Sequence, residues 1–366
     1  MKKKVVRLLI YSLVFSGSLL AQTEDLSPKE RAFRDSIALV NEASKANAAG
    51  KEAYNLGIGL FSSKQFDKAI SEFDKAIVAD PSFLAAYYNK AVAQLELDKY
   101  SDATKTLDKL VSIDSNYTRT YFQRAKAYQG VNDFGAAEKN YEKAMILEPS
   151  NVKVYSNYGV LRFMQKDYKD AIAKFSKCIQ LDPTSPYNYN DRGSCYRMLG
   201  DYIKAIADYE EALKRNPNLA FVLNNIGTTK KKMKDLQGAL TYFNKAIVAD
   251  PKFYMAYANK GVTNLALNKK EDAEKDFNTA IQLNDKYAPA YSNLSAIYFQ
   301  KKDFQKAADY ADRAIKLDKN YGTAYLNRGI AREMLRDMIG ACDDWSKAKE
   351  LGVDLGKNYF STNCNN

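Results

Sequence analysis

Few residue types carry chemistry at neutral pH, and this chain lacks the most versatile of them. It has no histidine, and its four cysteines are Cys178, Cys195, Cys342 and Cys364. Without an imidazole, Ser–His and Cys–His nucleophile pairs are excluded. The cysteine spacings suit no zinc site, and no glycine-rich phosphate loop is present. Carboxylates do occur side by side, as Glu210–Glu211 and Asp343–Asp344. Both pairs lie on amphipathic segments, where a solvated face is the ordinary place for acids. The expectation is a protein that is not an enzyme and uses no metal and no cofactor.

Elements that position side chains are written far more clearly than any catalytic group. The segment FDKAIVADPSF, residues 73–83, returns as FNKAIVADPKF at 243–253. The offset is five times 34, and stepping by 34 from Ala69 reaches Ala103, Ala137, Ala171, Ala205, Ala239, Ala273, Ala307 and Ala341. A small-residue column lies twelve residues before these alanines: Gly57, Ala91, Ala125, Gly159, Gly193, Gly227, Gly261, Ser295 and Gly329. An aromatic column lies four after them, with Phe73, Tyr141, Phe175, Tyr209, Phe243, Phe277 and Trp345. Apolar residues recur at three and four, so each unit reads as two short helices. An Asp-Pro or Glu-Pro step ends the second helix in several units, because proline cannot continue it.

This pattern resembles the tetratricopeptide repeat, a 34-residue helix–turn–helix unit. Nine units are expected: 50–83, 84–117, 118–151, 152–185, 186–219, 220–253, 254–287, 288–321 and 322–355. The resemblance implies an all-α fold, a right-handed α-solenoid with a concave groove. Each unit would bury its apolar face on its neighbours. It also implies a protein-binding role. Scaffolds of this kind serve many functions, so the role rests on the groove and not on the fold.

Both ends differ from the array. Three lysines precede an apolar run from Leu8 to Leu20, which reads as a signal peptide over residues 1–21. Residues 22–49 follow as a capping segment, with a helix from Ser27 toward Ala46 that covers the first repeat; Ser27, Pro28 and Glu30 supply its cap. Residues 356–366 are expected as a C-terminal tail. The chain is therefore expected to be exported, to the periplasm, the outer membrane or the medium, with no membrane span once the signal is removed.

An exported chain permits disulfides. Cys342 lies in the last repeat and Cys364 in the tail, close enough for a bridge that pins the tail. Cys178 and Cys195 fall on neighbouring helices; a second bridge and two buried thiols are both open, the thiols being the plainer reading. Formal net charge is +11, and without Lys2, Lys3, Lys4 and Arg7 it is about +7. Acid and lysine alternate along the helices, as on solvated faces, and nucleic acid is not an expected partner.

In the repeat family, positions 2, 5, 6, 9, 12 and 13 line the groove. Position 6 here reads Asn55, Asn89, Gln123, Asn157, Asp191, Asn225, Asn259, Asn293 and Asn327. A carboxamide offers a donor and an acceptor on a short arm, and such a row resembles the asparagine ladders of peptide-binding solenoids. Asparagine is also the family consensus at this position. Position 12 adds Phe61, Leu95, Phe163, Leu265 and Phe299, while Tyr87, Tyr121, Tyr155, Tyr189, Tyr257, Tyr291 and Tyr325 share position 4 as packing residues. Arg197, Lys231 and Lys232 fall at positions 12, 12 and 13 and form a candidate anion site. No repeat has the position-5 lysine needed for the family's chaperone-tail clamp. The expected function is binding of extended peptide segments in the groove of an envelope scaffold. The alternative is an assembly factor that docks folded envelope or secretion components on its convex face or ends.

Overall fold

The computed structural model describes residues 47–364. The expected signal peptide, and the expected capping helix from Ser27 to Ala46, lie outside the described residues. The chain divides into two compact units, one ending at Asp201 and the other beginning at Tyr202.

Unit one holds α1 (Ala48–Ser62), α2 (Phe66–Ala79), α3 (Leu84–Glu96), α4 (Tyr100–Ile113), α5 (Arg119–Gly130), α6 (Phe134–Leu147), α7 (Val152–Met164), α8 (Tyr168–Leu181) and α9 (Pro186–Met198). Unit two holds α10 (Tyr202–Arg215), α11 (Ala220–Lys232), α12 (Leu236–Ala249), α13 (Tyr254–Ala266) and α14 (Lys270–Leu283), followed by α15 (Ala288–Gln300), α16 (Phe304–Leu317), α17 (Gly322–Met334), α18 (Met338–Glu350) and α19 (Asp354–Asn363). The fold is all-α, and each unit is a solenoid of helix pairs in which every helix packs on the next in sequence.

The turn inside each repeat has one design. The N–H five residues after a carbonyl near the end of the first helix bonds back to it, as from Gln65 to Leu60 (2.9 Å), Asp167 to Arg162 (2.9 Å) and Asp303 to Tyr298 (3.0 Å). That closure requires a left-handed residue just past the helix. Gly200 supplies it in one repeat, and Lys64, Asp98, Asn132, Lys166, Lys234, Asn268, Lys302 and Arg336 supply it in the others, with φ between 56° and 67°. The next residue caps the second helix in many repeats: Asp133, Asp167, Asp235, Asp303 and Asp337 each accept a backbone N–H three residues on. Repeats are joined by a second motif, in which Asp80, Asp182, Asp250 and Asp318 accept the N–H two residues later.

Inside each repeat the small column meets the aromatic one. A Cβ built on Gly57, Gly159, Gly227, Gly261 or Gly329 would come within 2.9 Å of Phe73, Phe175, Phe243, Phe277 or Trp345. Those rings and the column of nine alanines are fully buried. Two repeats carry smaller aliphatic residues in the aromatic column: Ala91 shares one buried cluster with Leu107, and Ser295 and Ala311, both buried, occupy the two columns of the eighth repeat. The expected tail is instead helical. Tyr359 of α19 stacks on Trp345 with ring centroids 5.0 Å apart, and Gly356 lets the helix sit directly on Ala348. Cys342 and Cys364 are joined by a disulfide with their Cα atoms 5.7 Å apart.

Candidate functional site

First helices of successive repeats touch one another, as α1 does α3, α3 does α5 and α5 does α7 in unit one, and α11 does α13 and α15 does α17 in unit two. The side chains along this layer are those of the expected groove, and their hydrogen bonds reveal a ladder. Asn89 Nδ2 donates to Tyr54 Oη (2.8 Å) and Gln123 Nε2 to Tyr88 Oη (3.4 Å). In unit two, Asn259 Nδ2 donates to Asn224 Oδ1 (2.9 Å), and Asn327 Nδ2 donates to the carbonyl and Oγ of Ser292 (3.0 and 3.1 Å). Every one of these bonds links position 6 of a repeat to position 5 of the repeat before it, across 35 residues. Each is worth about 0.5–1.5 kcal/mol to the stack.

Other members of the row are placed differently. Asn157 and Asn293 donate only to their own helices, at Lys153 O (2.9 Å) and Pro289 O (2.8 Å). Asn55 is exposed, while Asp191 and Asn225 are fully buried, and Asn190 Nδ2 donates to Asp191 Oδ1 at 3.0 Å. The row is thus partly a structural seam and partly an open polar strip.

Position 12 packs largely against the start of the second helix: Phe61 meets Phe66, Phe163 meets Tyr168 and Phe299 meets Phe304 at 5.2–5.4 Å between centroids. Leu95 is buried and Leu265 packs on the core of its repeat. The tyrosines of position 4 act as latches. Tyr121, Tyr189, Tyr257 and Tyr291 donate to the carbonyls of Ser115, Pro183, Pro251 and Asp285 in the preceding loop.

Of the candidate anion residues, Arg197 belongs to unit one, and Lys231 and Lys232 to unit two. Lys231 is half-buried; burial, and then the charge of Lys232, pull its ammonium below the usual lysine range. Cys178 and Cys195 are buried thiols. Cys178 Sγ lies 3.6 Å from Val152 O, and burial raises its thiol far above the reactive range.

Sequence reasoning missed an ion ladder. The residue after the position-6 side chain is a cation in several repeats and pairs with an acid sixteen residues away, as Lys90 with Asp74 (2.5 Å), Arg124 with Asp108 (2.6 Å) and Lys260 with Asp276 (3.0 Å). Arg328 spans two repeats, bonding Asp312 at 2.8 Å and Asp344 at 2.7 Å. The constant spacing of sixteen was the available signal.

Tetratricopeptide repeat models match residues 60–127, 122–186, 186–219, 225–289 and 288–321. The chain belongs to the tetratricopeptide repeat family. Its members are protein–protein interaction scaffolds, and this tetratricopeptide protein is such a scaffold. Among solved structures it is similar to a tetratricopeptide repeat protein from Parabacteroides merdae, with a TM-score of 0.55, 19% identity, and coverage of 68% of this chain and 99% of that one. It is also similar to pilF of Pseudomonas aeruginosa, with a TM-score of 0.51, 18% identity, and coverage of 57% and 96%. At these identities the likeness concerns the tetratricopeptide fold. No curated protein matches the chain in sequence.

Proposed function

We propose that this protein is an exported, non-enzymatic adaptor of the bacterial envelope that holds extended segments of other proteins along the first-helix face of each unit. The observation that carries this reading is the split within the position-6 row. Asn157 and Asn293 spend one N–H on their own helix, and their Oδ1 atoms accept no bond among the described residues. Asn55 is exposed and makes no side-chain hydrogen bond among them. These carboxamides can take both a carbonyl and an N–H of an extended backbone without breaking the seam between repeats. Export is supported by the basic-then-apolar residues 1–21 and by a disulfide suited to an oxidising compartment.

The test separates seam from strip. Changing Asn55, Asn157 and Asn293 together to Ala is expected to leave the melting temperature unchanged and to abolish capture of the partner that the native bait retains from envelope extract. Changing Asn259 and Asn327 is expected to cost about 1 kcal/mol each in stability. If the first variant keeps the partner, the first-helix face is not the site, and docking through the opposite face or the ends takes its place.

A further inference from the structure

Unit two carries a second surface that peptide binding does not use. Its helices alternate in direction, so the turns within its complete repeats, residues 232–237, 266–271, 300–305 and 334–339, emerge on one edge of the stack. These turns hold seven lysines and arginines against four acids, whereas the same positions of the first four repeats hold four lysines against five acids. On the opposite edge of unit two, residues 250–253, 284–287 and 318–321 balance at three of each sign. The excess is therefore specific to one edge.

These cations are also unspent. Lys232, Lys234, Lys269, Lys302 and Arg336 are exposed and enter no ion pair among the described residues. Set back from them, Lys230, Lys301 and Arg332 are paired with Asp235, Glu274 and Asp337. Lys234, Lys302 and Arg336 are the left-handed residues at the turn tips. Large apolar side chains stand among them: Met233 is 44% exposed, Met334 49%, Leu335 40%, Met338 39% and Ile339 82%. On a soluble polyanion these apolar groups gain nothing. At a lipid interface they leave water while the cations meet headgroup phosphates.

We propose that this edge docks on an anionic lipid bilayer, with Lys232, Lys234, Lys302 and Arg336 on the headgroups and Met334, Leu335, Met338 and Ile339 reaching the acyl boundary. The contact is peripheral, since no helix among the described residues is long and apolar enough to cross a membrane.

Flotation of the full chain with phosphatidylcholine vesicles, with and without phosphatidylglycerol, tests it. Every variant keeps residues 1–21, so their contribution is common to all. Changing Lys232, Lys234, Lys302 and Arg336 to Gln is expected to lower affinity for the anionic vesicles by more than about tenfold. Changing Lys252, Lys286 and Lys319 on the opposite edge is expected to leave it unchanged. Ile339→Ser is expected to weaken binding at low and high salt alike. Circular dichroism checks that each variant folds. The proposal is overturned if the turn-edge variant floats as the native chain does, or if both edges lose affinity equally. It is also overturned if soluble polyphosphate displaces the vesicles and Ile339→Ser has no effect, which would make the edge a polyanion site.

Discussion

Gly261 and Phe277 divide one volume between them. A Cβ at Gly261 would lie 2.9 Å from the ring, inside the distance real Cβ atoms tolerate. Gly261→Ala is therefore expected to cost about 1–3 kcal/mol by overpacking, measured by urea denaturation. Gly59, on the exposed side of α1, meets nothing within 4 Å. Gly59→Ala is its control and should gain up to about 1 kcal/mol through helix propensity. The two columns, small and aromatic, were both legible as sequence, because each is a property of single positions. The partners of the position-6 carboxamides were not. Asn157 and Asn259 are the same residue in the same column, yet one bonds its own helix and the other Asn224. That choice depends on what stands at position 5 of the neighbouring repeat, where Asn224 offers an acceptor and Phe122 does not.

The elements of the array are short and end abruptly, and their turns bear a cost that the sequence discloses only through Gly200. A residue with a Cβ in left-handed conformation is disfavoured by about 1–2 kcal/mol. Lys166, with φ of 63°, is exposed and enters no ion pair among the described residues. Lys166→Gly is expected to raise stability by roughly 0.5–1 kcal/mol, the strain relieved being partly offset by the freer unfolded chain. A melt that falls would show that the turn carries no such strain. Among the described residues, the one element that sequence pattern did not disclose is α19. Its ten residues are stabilised by what they cover, Trp345 and Ala348, and not by their own periodicity.

Over the whole molecule, stability is a sum of neighbouring interfaces rather than a property of one core. Damage is therefore expected to stay local. The Cys342–Cys364 bridge closes a span of 22 residues at the terminal interface, for which chain-entropy reasoning gives about 3 kcal/mol. Reduction, or Cys364→Ser, is expected to speed amide exchange in α19 and the end of α18 while leaving α1 to α8 unchanged. Uniform acceleration along the chain would contradict nearest-neighbour behaviour.

The seam between repeats has a further consequence, for how the gene can change. Its donor is nearly constant while its acceptor varies among Tyr54, Tyr88, Asn224 and Ser292. Repeats held together in this way accept different neighbours. Recombination between the two near-identical segments at 73–83 and 243–253 would delete five whole periods and leave every column aligned. Length is the trait such a lineage can alter in one step, since each surviving repeat still finds the partner its edge requires.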